Sequence, residues 1–301
     1  LKRGYNLESL LPILGLIVVV AVRLLPSFNA ITGAITALKR YEVSVKIIME
    51  EFNKFKKINI KDYNKKHNAK IVNFNESLKL KDISFTFPNE NKNLFKNCSI
   101  EINKGEKIGI VGPSGSGKST LLNIILGLLK PSSGKVLVDD EDIHNNINSW
   151  HLKIGYIPQE IYLLDDTITK NVALGLSEEK EDLTKVEQAL KHAELFEFSK
   201  GLKNGLDTKV GDRGVRFSGG QRQRVGIARA LYRDPSILIF DEATSALDDE
   251  TEKKFIDNIF TLPQEKTLIL STHKIEILSK CDRVYEIRNN NLAIYKSSSN
   301  H

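Results

Sequence analysis

The stretch KIGIVGPSGSGKSTLLNIILGLL, residues 107–129, decides the fold. A short apolar strand runs into a glycine-rich turn and then into an apolar helical pattern. Gly112, Gly117, Lys118 and Ser119 fit the spacing G-x-x-x-x-G-K-[ST], which is a phosphate-binding loop. Glycines are needed because backbone amides must turn inward around phosphate oxygens, where a Cβ would obstruct them. The following helix adds partial positive charge at its N-terminus, and Lys118 adds a full one. Gly112, Pro113, Ser114, Gly115, Ser116, Gly117, Lys118, Ser119 and Thr120 are the expected phosphate contacts, with the Ser119 hydroxyl offered to Mg²⁺.

Outward from this loop the chain alternates strands and helices. LKLKDISFTF from Leu78, CSIEI from Cys98, KVLV from Lys135, KIGYI from Lys153, SILIF from Ser236 and TLILST from Thr267 read as strands. The expected class is α/β, with strands feeding nucleotide-binding turns. SILIF ends in Asp241 and Glu242. The first carboxylate is placed to hold a magnesium shell, and the second to orient or deprotonate an attacking water.

FSGGQ from Phe217, just before ILIFDEATSALD, resembles the signature of the ATP-binding cassette (ABC) family, usually LSGGQ. The resemblance implies a P-loop NTPase fold with a helical subdomain, ATP and Mg²⁺ as ligands, and ATP hydrolysis. Phe217 in place of Leu reads as a packing change. Ser218, Gly219, Gly220 and Gln221 open a helix and form a second anion site. In the family this site closes over the ATP of a second cassette, so a cassette dimer, here a homodimer, is implied. Gln159 in YIPQE resembles the glutamine that reaches magnesium, Asp248 in SALD the aspartate that crosses the dimer interface, and His273 in LILSTH the switch histidine at the γ-phosphate. Glu242, His273 and Gln159 are thus the catalytic set, and Ser119, Gln159 and Asp241 the metal set. Phe87 stands where the family has an adenine-stacking aromatic. Phe85 and Phe87 share one strand face by period two, so a plain core role competes for each.

LESLLPILGLIVVVAVRLL, residues 7–25, is almost wholly apolar and near the ~20 residues that cross a bilayer. A signal peptide is the competing reading, but no small-residue cleavage site follows. Ile35, Leu38, Tyr41, Val45, Ile48 and Phe52 recur at helical spacing, so the helix is expected to continue to Phe52, spanning roughly 70 Å if unbroken. The expected divisions are residues 1–52, a long, partly transmembrane helix; 53–77, a polar linker; and 78–301, the cassette. TKVGDRG from Thr208 and PQEIYLLDDTITKNV from Pro158 resemble exporter loops. RLLPSFNAITGAITALKRYEVSVKII from Arg23 and the cassette together are similar to flippases of lipid-linked oligosaccharides in bacterial protein glycosylation. Family exporters have six membrane helices per cassette, and this sequence opens without Met near the last. It is therefore expected to be a piece of a longer inner-membrane protein with its cassette cytoplasmic, the alternative being that partner chains supply the missing helices. The alternative is a soluble cassette acting as a regulatory or nucleic-acid-associated clamp.

The net charge of +6 could suggest nucleic acid, but ten basic residues against four acidic ones fall between Lys39 and Lys70, just after the apolar run. Cytoplasmic flanks of membrane helices have this bias, and so does a solvated helix face, so no nucleic-acid partner is expected. Cys98 and Cys281 lie far apart with no metal or disulfide spacing and read as buried thiols. The tail from Ser297 reads as disordered.

Overall fold

The computed structural model describes residues 7–57, 73–88, 90, 92–244, 246–288 and 290–297. The chain divides between Lys65 and Lys66 into two compact units.

The first unit holds one helix, α1 (Leu7–Lys57), of 51 residues. Pro12 and Pro26 lie inside it without ending it, and it is about 77 Å long at 1.5 Å per residue. The expected helix to Phe52 therefore runs five residues further, and residues 58–72 of the expected linker lie outside the described residues. Leu10–Asn53 is long and apolar enough to cross a membrane, and none of it is buried. Val43, Ile47 and Met49 are exposed between the residues of the expected stripe, so apolar side chains lie on several faces. A helix that packed one face on a soluble core would confine them to one.

In the second unit, β1 (Ser77–Phe85) pairs with β2 (Phe95–Asn103) and with β4 (Ser133–Val138), which pairs with the short β5 (Glu141–Asp142), forming an antiparallel sheet. The second sheet has the order β10 (Asn291–Ser297), β9 (Arg283–Arg288), β3 (Lys107–Val111), β8 (Thr267–Ser271), β7 (Ile237–Asp241), β6 (Ile154–Ile157). All its pairings are parallel except β9 with β10.

The period-two alternation of β7 explains why this sheet is covered on both faces. Ile237 and Ile239 pack with the antiparallel sheet and with helix α2 (Lys118–Ile125). Leu238 and Phe240 pack on the other side. That side carries α4 (Ile168–Val172), α5 (Leu183–His192) and α7 (Gly219–Tyr232), with α6 (Phe196–Lys200) beside them. This is the helical subdomain. Asn171, fully buried, ties it together: its amide nitrogen donates to the Leu164 and Thr167 carbonyls, and its oxygen accepts from the Leu164 amide and from Arg229. Cys98 and Cys281 are buried free thiols, as expected.

Two differences stand out. The strand expected to run to Phe87 ends at Phe85, and register shifts between Leu80 and Ile83 and between Ile83 and Phe85 break the period-two alternation. Ser297, expected in the tail, is the last residue of β10, while residues 298–301 lie outside the described residues.

Trp150, in helix α3 (Ile147–His151), is fully buried and donates Nε1–H to the Ile125 carbonyl at 3.0 Å, closing the end of α2. Trp150→Ala should destabilise the cassette by about 3–5 kcal/mol. Chemical denaturation of the full chain measures this.

Candidate nucleotide site

The parallel register aligns the strand ends. Ile110 of β3 and Asp241 of β7 both stand opposite Ser271 of β8, and Ile157 of β6 stands opposite Phe240. The turns after these four strands therefore leave from one edge, where ligands of parallel sheets bind. They carry the phosphate loop, Gln159, Glu242 and His273.

The loop needs its glycines. Gly117 has φ +101°, and a Cβ there would lie 2.9 Å from the Phe95 ring. At Gly112 a Cβ would lie 2.6 Å from Ser116 Oγ. Lys118, 6 % exposed, donates to the carbonyls of Gly112 (3.0 Å) and Pro113 (3.3 Å), so its ammonium is folded back over the loop.

Glu242 is the focus of the site. Its φ is +49°, a left-handed conformation that costs a non-glycine residue about 1–3 kcal/mol. Its amide donates to the Ser271 carbonyl at 3.0 Å, which holds it there. Oε1 lies 3.4 Å from Lys118 Nζ and 3.3 Å from His273 Nε2, while Oε2 accepts from Gln159 Nε2 at 3.4 Å. Three residues up to 155 positions apart in the sequence thus converge on one carboxylate. His273 is half exposed, so its contact with Glu242 adds little stability. Their importance lies in what they bring together.

Asp241 is 4 % exposed. Burial pushes its carboxyl above the ordinary range and the charge of Glu242 adds to this, while the hydroxyls of Ser119 and Ser271 and the charge of Lys118 pull the other way. Asp241 Oδ1 and Ser271 Oγ are buried without a hydrogen bond of good geometry. Burial, helped by Asp241, also holds the Tyr156 hydroxyl up at about 12.

The signature residues form a separate feature. Ser218 caps α7 in a reciprocal box: its Oγ accepts from the Gln221 amide at 3.2 Å, and its amide donates to Gln221 Oε1 at 2.9 Å. Gly219 and Gly220 follow in the first turn. Phe217 is buried and meets Phe198 edge-on, ring centroids 5.8 Å apart, which accounts for its departure from Leu by packing. Asp248 caps α8 (Asp249–Phe260), accepting from the Thr251 amide at 3.0 Å, and these hydrogen bonds hold its carboxyl below the usual range. Phe87 is exposed, packed edge-on against the buried Phe85 at 5.0 Å. Among the described residues, no hydrogen bond or ion pair joins Phe87, Ser218–Gln221 or Asp248 to the Glu242 cluster.

Sequence reasoning missed Gln223. Buried, it accepts from the Ala246 amide at 3.1 Å and so ties the signature helix to the turn after Glu242. Its place within GGQRQRVG carries no signal that separates it from a surface glutamine.

Strand, phosphate loop, carboxylate pair and capped signature helix together define a P-loop ATP-binding cassette. A profile of the ABC transporter family matches residues 95–245. The chain belongs to that family, its cassette is of the exporter type, and the cassette is the family's ATP-hydrolysing domain. It is 38 % identical over 208 residues to the ATP-dependent lipid A-core flippase of Vibrio parahaemolyticus, covering 69 % of this chain and 36 % of that protein. It is 36 % identical over 207 residues to the ABC transporter ATM1 of Toxoplasma gondii, covering 68 % and 18 %. A solved structure of a bacterial Atm1-family ABC exporter with ATP bound superposes with a TM-score of 0.71 at 34 % identity, over 75 % of this chain and 40 % of that one. The chain thus spans well under half the length of the curated relatives it matches.

Asp241 carries charge into a buried position with an unpaired oxygen. Asp241→Asn should therefore raise the melting temperature of the nucleotide-free chain by a few degrees, about 1 kcal/mol. Differential scanning calorimetry without nucleotide checks this.

Proposed function

We propose that this chain is the motor part of an exporter-type ABC transporter, in which two copies sandwich two ATP molecules and hydrolyse them to drive export or flipping of a substrate. The observation that carries this reading is the convergence of Lys118, Gln159 and His273 on Glu242.

The side-chain chemistry accounts for hydrolysis. Lys118 is shared between loop carbonyls and Glu242 in the structure. An incoming γ-phosphate competes for the ammonium as a stronger anion and draws Lys118 away. Glu242 loses its cation and becomes the better base, placed to take the proton of an attacking water. Gln159 orients that water, and His273 donates to the transferring phosphate. The remaining loop residues, Gly112–Thr120, supply backbone amides and hydroxyls to the phosphates, and Phe87 stacks on the base.

The residues fit magnesium. Its usual holders are one or two carboxylates together with nucleotide phosphates; here Asp241 offers the unpaired Oδ1, with the Ser119 hydroxyl and Gln159 to complete the shell. When bound, the ion neutralises charge on the β and γ phosphates.

Ser218 to Gln221 and Asp248 serve the nucleotide of the partner cassette. The Ser218 oxygen already accepts from its own helix, so its O–H remains free to donate to that phosphate. Helix α1 is the last membrane helix of an inner-membrane exporter whose other helices complete the pathway, with the cassette in the cytoplasm. Two supports favour a lipid-linked saccharide as substrate: the sequence from Arg23 to Ile48, and a relative named for flipping lipid A-core.

Lys118→Ala should weaken ATP binding roughly tenfold to a hundredfold, the worth of a charged hydrogen bond. Titration with a fluorescent ATP analogue, alongside steady-state phosphate release, reads both affinity and turnover. Unchanged affinity overturns the phosphate-loop assignment.

A further inference from the structure

His273 is poorly held by its own side chain. The ring is half exposed, and among the described residues its polar contact is Glu242 Oε1 at 3.3 Å. It stands between two clefts of about 730 and 510 Å³, each of which it lines. Its aim therefore depends on the backbone on either side of it.

That backbone is pinned at both neighbours. Before it, the Thr272 amide donates to the Ile110 carbonyl at 3.3 Å, tying the turn to β3. After it, the Lys274 amide donates to Thr272 Oγ1 at 3.1 Å, and Lys274 Nζ makes an ion pair with Glu252 Oε2. The Glu252 side chain is only 10 % exposed, and its other oxygen, Oε1, is buried without a partner. A carboxylate so placed strongly favours keeping its one cation. Glu252 lies in the first turn of α8, its amide donating at 2.8 Å to the carbonyl of Asp248, the cap of that helix.

We infer that the Glu252–Lys274 ion pair is a strap that positions His273 from the helix beginning at Asp248. Glu252 and Lys274 are positioning residues: neither touches nucleotide. The inference rests on the reading of His273 as the group that meets the γ-phosphate. If Asp248 meets the partner cassette, as proposed above, engagement of the partner shifts the start of α8, and the strap carries that shift to the histidine one residue from Lys274. A second ion pair, Asp257 with Lys280, links α8 to the end of α9 (Ile275–Ser279), seven residues along the chain from His273, and its carboxylate is more exposed. It serves as a control for loss of an ion pair between the same elements.

The test is steady-state phosphate release over a range of ATP concentrations in the full chain. A misaimed catalytic group costs up to a hundredfold, so Glu252→Gln and Lys274→Met should each lower kcat roughly tenfold to a hundredfold, with KM within about twofold of wild type. Lys274→Arg should retain the rate, as should Asp257→Asn. In a His273→Ala background, Glu252→Gln should cause no further loss, because the strap then has nothing to aim. Glu252→Gln at wild-type kcat overturns the strap, as does the same fold loss with His273 absent, which assigns the pair a structural role. Should Glu252→Gln not fold, Lys274→Met against Lys274→Arg carries the test, and equal rates overturn it. A wild-type chain that binds ATP without releasing phosphate contradicts the hydrolysis reading instead, so the two failures are distinguishable.

Discussion

The site depends on the parallel hydrogen-bond register of β3, β8 and β7. Both faces of this sheet are apolar, so hydrophobic pattern alone specifies the register weakly. The polar strand ends fix it. Glu242 donates its amide to the Ser271 carbonyl, Thr272 donates to Ile110, and at the opposite edge Thr267 donates to Ser236 and Leu268 to Glu106. A slip of one residue would bury Glu242 or withdraw Asp241, and the left-handed backbone at Glu242 would lose the bond that holds it. The same alignment places Lys118, Gln159 and His273 within reach of one carboxylate.

The start of the signature helix stands apart from the Glu242 cluster. The N-terminus of α7 has its own cap and its own serine, yet no group of the Glu242 cluster reaches it. One region gathers Lys118, Gln159 and His273 around Glu242, and the other presents a hydroxyl and helix amides to the outside. Such a division makes sense when each half serves a different nucleotide in a pair of cassettes. Gln223 and the Glu252–Lys274 pair then give physical routes between the turn after Glu242, the signature helix and the switch histidine.

Much of this was legible in the sequence, for physical reasons. Strands β3, β7 and β8 are uninterrupted apolar runs that end in polar or glycine-rich turns, and the phosphate loop admits few alternatives to glycine. Strands β9 and β10 escaped notice because RVYEIR mixes charge with apolar residues. Its Arg283 is paired with Glu106, 177 positions away, and a local pattern cannot reveal such a partner. Period two grouped Phe87 with Phe85, but β1 ends at Phe85, so Phe85 lies in the core while Phe87, beyond the strand, is exposed with its ring against Phe85. The roles of Asp248 and Ser218 as helix caps were partly visible: the S-x-x-Q spacing at Ser218 is a capping box in its own right. Helix α1 was visible from composition and length, while the pair between Glu252 and Lys274 required the fold.

Glu242 is central as the proposed base of a dimeric ATPase. The most direct test is to replace it with glutamine in the full chain, then follow phosphate release and ATP-dependent association by light scattering. The account predicts ATP retained, a stable association of two copies, and hydrolysis abolished. Hydrolysis at the wild-type rate would contradict it.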